Sequence, residues 1–294
     1  IPQLSRYFFN KRGKQLRPVL CLLSSKMINK EYSKLTSDIS MAAALEFIHA
    51  ATLLHDDVID KGKSRRGQRS VNDIWNNKFS VLLGDFMFSK SFQLMTEGQS
   101  LEAMESLAEV SGKISEGEFL QMSNEKNTLL TINEYLQIIS LKTAELFGAA
   151  MKIPAILKKK NNKMIKQLNI VRLNFGIKFQ IIDDHLDYFG NAKTGKIQGQ
   201  DFMEGKITLP IIILLNKTNP SEKKWLTNVF KNKKRNKGDF LKTKVLLEKY
   251  DIENLSLKYA DNLKIKSKKI LKIFKNQSSL LLEELLDTSI SRKN

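Results

Sequence analysis

The chain has 294 residues, with 49 Lys and Arg against 31 Asp and Glu, a net charge of +18, and one cysteine. That length allows a sizeable core, and a lone Cys21 excludes an intrachain disulfide and a cysteine-based zinc site. No zinc-finger spacing, RNA-binding aromatic signature or basic-zipper pattern accompanies the lysines, so the charge reads as a solvated surface and no nucleic-acid partner is expected.

The chain opens on Ile1 rather than Met, so its start is expected to be missing, and no signal-peptide pattern is read there. Gly13-Lys14-Gln15-Leu16-Arg17-Pro18 places two cations three residues apart, expected on one side of a helical turn. The prolines lie at 2, 18, 154, 210 and 220, so Val19 to Ile153 is free of the residue that breaks helix interiors. Within it, Ile39–Leu54 is rich in Ala, Leu, Met and Ile and predicts a helix. Ser100–Leu107, Glu134–Ala150 and, beyond Pro154, Met164–Asp187 carry apolar residues at three- and four-residue spacings and predict three more. Lys61–Gln68, Asn124–Thr128, Asn191–Gly205 and Lys231–Gly238 hold Gly, Asn or dense charge and predict loops. Leu209–Leu215 could be an Ile-rich strand, but Pro210 near its start suits a helix first turn, so a buried helix is expected. At seven residues it is the longest apolar run, and no bilayer-spanning segment is expected. No repeat and no linker is visible; the expectation is all-α, one domain over 1–294, with roughly ten or more helices.

Adjacent aspartates occur twice, as Asp56-Asp57-Val58-Ile59-Asp60 and Asp183-Asp184-His185-Leu186-Asp187. Both read D-D-x-x-D and both follow an apolar helical segment. On a helix, positions i and i+4 lie about 40° apart, so the outer carboxylates of each cluster share a face. Three carboxylates in five residues repel unless a cation lies between them. Hard oxygen donors suit Mg²⁺, which takes one or two carboxylates plus substrate phosphates and waters. One such cluster is more often a solvated helix end; two at identical spacing point to a metal-bound diphosphate. Cations for a second anionic substrate lie near the first cluster: Lys14, Arg17, Arg65 and Arg66. All three histidines fall inside or near the clusters; His49 is two turns before Asp56, and His55 and His185 read as structural.

Leu54-His55-Asp56-Asp57-Val58-Ile59-Asp60, G-K-x-L-R-P, Arg65-Arg66-Gly67, Phe179-Gln180-Ile181-Ile182-Asp183-Asp184 and Gly205-Lys206-x-Thr208-Leu209-Pro210 together resemble the trans-prenyl diphosphate synthases, and among them the long-chain, octaprenyl-type polyprenyl synthetases. The resemblance covers essentially the whole chain, in the family's order. It implies a single all-α domain of the isoprenoid synthase type with a central active-site cavity, usually a homodimer. The implied reaction condenses isopentenyl diphosphate successively onto an allylic diphosphate primer, with two or three Mg²⁺ per site.

The resemblance also implies roles. Asp56, Asp57 and Asp60 match the first metal motif; Asp183, Asp184 and Asp187 match the second. Lys14, Arg17, His49 and Arg66 match the isopentenyl diphosphate ligands. Arg65, Lys142, Thr143, Gln180, Lys196 and Lys206 match the groups around the allylic diphosphate. Asp56, Asp60, Asp183, Arg65 and Lys196 are the expected catalytic set. Gly199-Gln200-Asp201 departs from the common G-D-D, and the start is short by about one helix. Ala51, Thr52 and Ile48 are expected to bear on chain length: small residues at 51 and 52, with no insertion in the cluster, fit a product near forty carbons for a quinone side chain. A C15–C20 synthase is the alternative. A class I terpene cyclase would not need the Lys14/Arg17/Arg66 clamp, and a non-catalytic partner subunit should have lost aspartates. The expected location is cytoplasmic, with loose membrane contact through the long product.

Overall fold

The computed structural model describes residues 1–10, 13–28, 36–65, 67–190, 198–232 and 234–288. In chain order the helices are α1 (Pro2–Asn10), α2 (Leu16–Ile28), α3 (Thr36–Ile59), α4 (Val71–Ile74), α5 (Asn77–Glu97), α6 (Leu101–Ser123), α7 (Ile132–Ile139), α8 (Glu145–Leu157), α9 (Asn162–Phe189), α10 (Gln200–Glu204), α11 (Leu209–Lys217), α12 (Pro220–Lys231), α13 (Lys237–Lys249), α14 (Ile252–Leu271) and α15 (Gln277–Thr288). Among the described residues the only strands are β1 (Ser64–Arg65) and β2 (Gln68–Arg69), an antiparallel pair that overlaps the predicted loop at 61–68 and runs one residue past it. The all-α expectation holds, and Leu209–Leu215 is helical with every residue buried.

The chain divides into two compact units: 1–112, 146–172 and 270–284 form the first, and 113–145, 173–269 and 285–294 the second. In the first, α3 packs on α2 and α5, with Ala50, Ala51, Leu54, Leu83, Met87, Val71 and Phe8 in one apolar cluster. Small alanines on α3 let the neighbouring helix approach closely. Gly84 of α5 shows how closely: a Cβ there would stand 2.2 Å from His55 Nε2. Ser37–Ile59 is, by length and composition, long and apolar enough to cross a membrane, contrary to the run-length expectation; half of its most apolar stretch is buried inside the protein, as in a core helix.

The second unit is built around α11, whose Leu209 and Ile211–Leu215 pack with Ile181, Ile182, Tyr188, Phe202, Phe230 and Leu247. Its helices start where the sequence provides caps. Thr131/Glu134, Asn219/Glu222 and Asn236/Asp239 each form a reciprocal capping box at α7, α12 and α13, worth about 1 kcal/mol apiece. The predicted 134–150 helix is broken: Ser140–Ala144 forms a π-helical turn between α7 and α8. Pro154 is accommodated inside α8, one turn before its end.

Candidate active site

In the first unit the D-D-x-x-D cluster ends α3. Asp56 and Asp60 are half-buried, whereas Asp57 is only 5% exposed. Arg65 of β1 grips Asp57: Nε donates to Oδ2 at 2.9 Å and Oδ1 at 3.1 Å, and Nη2 to Oδ1 at 2.7 Å. Burial works against the Arg65 charge, but the bond to Asp57 and the fields of Asp57, Asp56 and Asp60 outweigh it and hold the guanidinium above its usual value. Asn72 Nδ2 donates to the carbonyls of Asp57 and Gly62, and Ser70 Oγ donates to Gly62 O, so the turn after the cluster is fastened to α4.

The hairpin bearing Arg65 is also held by α1. Tyr7 Oη donates to Arg69 O at 2.7 Å, and Gln68 Nε2 donates to Tyr7 O at 3.3 Å. Tyr7 packs edge-on against Trp75, and Phe9 against Phe47 of α3. Sequence reasoning gave α1 no part in the site, because its contacts with residues 68 and 69 span some sixty positions.

Arg17 lies in the first turn of α2, buried, with its guanidinium 4.3 Å from the Phe147 ring centroid. Lys14 does not share a helical turn with it, which corrects the expectation: α2 begins at Leu16, Gln15 has φ +45°, and Lys14 is exposed ahead of the helix. His49 is half-buried on α3 and its carbonyl accepts from Thr52 Oγ1 at 2.9 Å. His55 faces α5 near Val81 O, Asp85 and Phe88, in keeping with a structural role. Ile48 and Ala51 are fully buried, Ala51 in the α1–α3–α5 cluster, while Thr52 is half-buried. Arg66 and Lys196 lie outside the described residues.

In the second unit, α9 presents Asp183 half-buried, with Asp184 and Asp187 buried. Asp184 Oδ2 accepts from Tyr135 Oη and Oδ1 from Gln180 Nε2, both at 2.7 Å. Burial, with the field of Asp201, pushes its pKa up to about 7 against the pull of those two bonds. Gln180 Oε1 in turn accepts from Thr143 Oγ1 at 2.9 Å. Thr143–Gln180–Asp184–Tyr135 is thus one hydrogen-bonded chain, and it ties together two residues expected at the allylic diphosphate. The π-turn supplies Thr143 and Lys142, and Lys142 pairs with Glu118 of α6. Gly117 makes this possible, since a Cβ there would fall 2.4 Å from Lys142 N.

Asp187 accepts from the amides of Gln200 and Asp201, both at 3.2 Å, and its own carbonyl accepts from Gly199 N at 2.9 Å. The departure from G-D-D therefore leaves the anchoring of that segment intact, and Gln200 bonds Glu204 instead. Lys206 follows, its amide donating to Asp201 O and its ammonium 2.8 Å from Glu204. His185 is buried against Ser256, with its pKa pushed down to about 4 by burial, again structural.

All six cluster aspartates were expected on metal. The structure separates them: Asp57, Asp184 and Asp187 are buried and bonded to protein donors, while Asp56, Asp60 and Asp183 keep partial exposure. Among the described residues no three His, Cys, Asp or Glu side chains converge to hold a metal by themselves. This all-oxygen donor set fits Mg²⁺, which draws most of its ligands from water and phosphate.

The polyprenyl synthetase family model matches residues 1–247. The octaprenyl diphosphate synthase of Escherichia coli is 38% identical over 76% of this chain and 68% of its own length. The geranylgeranyl diphosphate synthase of Saccharolobus solfataricus is 32% identical over all of this chain and 90% of its own. Among solved structures, a decaprenyl diphosphate synthase from Rhodobacter capsulatus matches with a TM-score of 0.92 at 34% identity, covering 100% of this chain and 90% of that one. A polyprenyl synthase from Caulobacter crescentus, complexed with calcium and isoprenyl diphosphate, matches at 0.94 and 37%, covering 100% and 89%. With the two D-D-x-x-D clusters in place, these likenesses establish that the chain belongs to the polyprenyl synthetase family, the prenyltransferases that make trans-polyprenyl diphosphates.

Proposed function

We propose that the chain is a Mg²⁺-dependent long-chain synthase that adds isopentenyl diphosphate repeatedly to an allylic diphosphate, ending near forty carbons and supplying a quinone side chain. The observation that carries the reading is the split within each cluster. Asp56, Asp60 and Asp183 are the partly exposed carboxylates for metal; Asp57, Asp184 and Asp187 hold the frame around them. Mg²⁺ when bound supplies the positive charge that offsets a diphosphate. Arg65, Lys142, Thr143, Gln180, Lys206 and Lys196 attend the allylic diphosphate, and their charge and hydrogen bonds make it a better leaving group. Lys14, Arg17, His49 and Arg66 hold isopentenyl diphosphate so that its double bond attacks the allylic cation. The proton is lost to the departing diphosphate, and apolar walls exclude the water that would quench the cation. The two units act as one domain, a reading supported by a family model that runs through both. The protein works as a homodimer in the cytoplasm, in loose contact with membrane.

A second reading, a geranylgeranyl-length product, is favoured by two observations: geranylgeranyl synthases stand among the relatives, and Ile48 and Ala51 are packed into the core. One assay tests both. With excess isopentenyl diphosphate, a labelled primer and Mg²⁺, thin-layer analysis of the dephosphorylated product should give a band of thirty to fifty carbons that chelator abolishes. A product stopping at twenty carbons selects the second reading, and activity indifferent to chelator removes the metal from both.

A further inference from the structure

Residues 220–275 hold seventeen Lys and Arg against six Asp and Glu, far more excess charge than an average stretch of this chain. Within them, α13 buries Phe240, Thr243, Leu246 and Leu247 against the second unit's core. Its opposite face carries Leu241 and Val245, one turn apart and 63% and 62% exposed. Lys237, Lys242 and Lys249 are exposed around them, as are Lys224 and Lys231 on α12. The Lys242 ammonium lies 4.2 Å from the ring centroid of Trp225, a partly buried residue of α12. The acidic groups on α12 and α13 are Asp239, which caps α13; Glu222, already bonded to Lys249 and Tyr250; and exposed Glu248.

We propose that this α12–α13 face docks on an anionic bilayer surface. Exposed aliphatic side chains ringed by lysines, with an indole alongside, match the layering of such a surface: phosphate heads outside, acyl chains beneath. Lysine stems lie along apolar surface while their ammonium groups reach the phosphates. Two other occupants fit less well. A second copy would set like charge against like charge. A nucleic acid would satisfy the lysines and leave Leu241 and Val245 without a role. A family that makes lipid diphosphates has a use for such a surface, but the proposal does not depend on product length, and its test needs no substrate.

The test is co-sedimentation of the whole chain with phosphatidylcholine vesicles, with and without phosphatidylglycerol. Wild type should bind only the anionic vesicles, and binding should fall with salt. Lys237→Gln with Lys242→Gln should raise the lipid needed for half-binding by roughly 25-fold, at about fivefold per lysine. Leu241→Ser with Val245→Ser should raise it about tenfold or more. Both double variants should keep wild-type turnover and melting temperature, since neither touches the site. Equal binding to neutral and anionic vesicles, wild-type binding by both variants, or full competition by RNA together with indifference to Leu241→Ser/Val245→Ser would overturn the proposal.

Discussion

Two side chains that titrate or pair inside the fold show how much a single residue's surroundings decide. Asp57 accepts three N–H bonds from an Arg65 side chain that is itself only 29% exposed. Asp57→Asn should therefore cost about 1.5–3 kcal/mol, while Asp56→Ala, at a half-buried position, should cost less stability yet lower turnover at least a hundredfold. Thermal melts and kcat on both variants check this; equal losses of stability would assign Asp56 to the fold as well. Lys178 of α9 is fully buried, donates to Leu286 O, and has its pKa lowered to about 8 by burial. In the unfolded chain it titrates near 10.5, so between about pH 8 and 10.5 the unfolded state binds more protons. Its charged form opposes folding below pH 8, and stability should rise with pH across that window by roughly 3 kcal/mol before levelling. Lys178→Met should be more stable than wild type at pH 7, with the gap closing by pH 10.5. A constant gap would mean that the buried ammonium is fully compensated in the fold.

At the scale of elements, α1 bears on the site through the hairpin it holds. Removing the Tyr7 hydroxyl leaves its ring against Trp75 but deletes the bond to Arg69 O. Tyr7→Phe should thus raise KM for one diphosphate substrate about three- to tenfold, from a net loss of about 1 kcal/mol, with kcat within twofold. A lower melting temperature with both KM values unchanged would make the contact purely structural. The same elements show what a sequence discloses. The D-D-x-x-D helices, the proline-started α11 and the predicted loop at 124–128 were legible, because each rests on contacts within a few residues; the loop predicted over 231–238 is cut back at both ends, Lys231 closing α12 and Lys237 and Gly238 opening α13. The separation of Asp57 from Asp56, and of Asp184 from Asp183, was not. A helical wheel shows which carboxylates share a face but not that Tyr135, 49 positions away, or a β-hairpin will take the others. The π-turn at Ser140–Ala144 escaped for a related reason: Gly117 of α6 admits its backbone, and nothing in the local apolar spacing marks it. The placement of Lys14 failed on a single left-handed residue, Gln15.

For the whole molecule, +18 is a field as well as a surface. Both proposed substrates are diphosphates, and a cationic protein raises the rate at which anions arrive. The screening length is about 10 Å at 0.1 M salt and about 3 Å at 1 M. Ion pairs at the reacting centre lie within a few ångströms and are screened little, whereas solvent-exposed charges acting beyond a screening length lose most of their effect. The two contributions therefore separate in a salt titration. At fixed free Mg²⁺, raising potassium chloride from 20 to 500 mM should lower kcat/KM for isopentenyl diphosphate by about tenfold, while single-turnover rates with prebound substrates change less than twofold. Replacing the exposed Lys266, Lys269 and Lys272 by glutamine should flatten that salt dependence without altering the high-salt value. If kcat/KM ignores salt in the wild type, the excess charge does not steer substrate and serves the surface alone. If the single-turnover rate falls in parallel, salt acts at the carboxylate clusters themselves, and those lysines have no part in the kinetics.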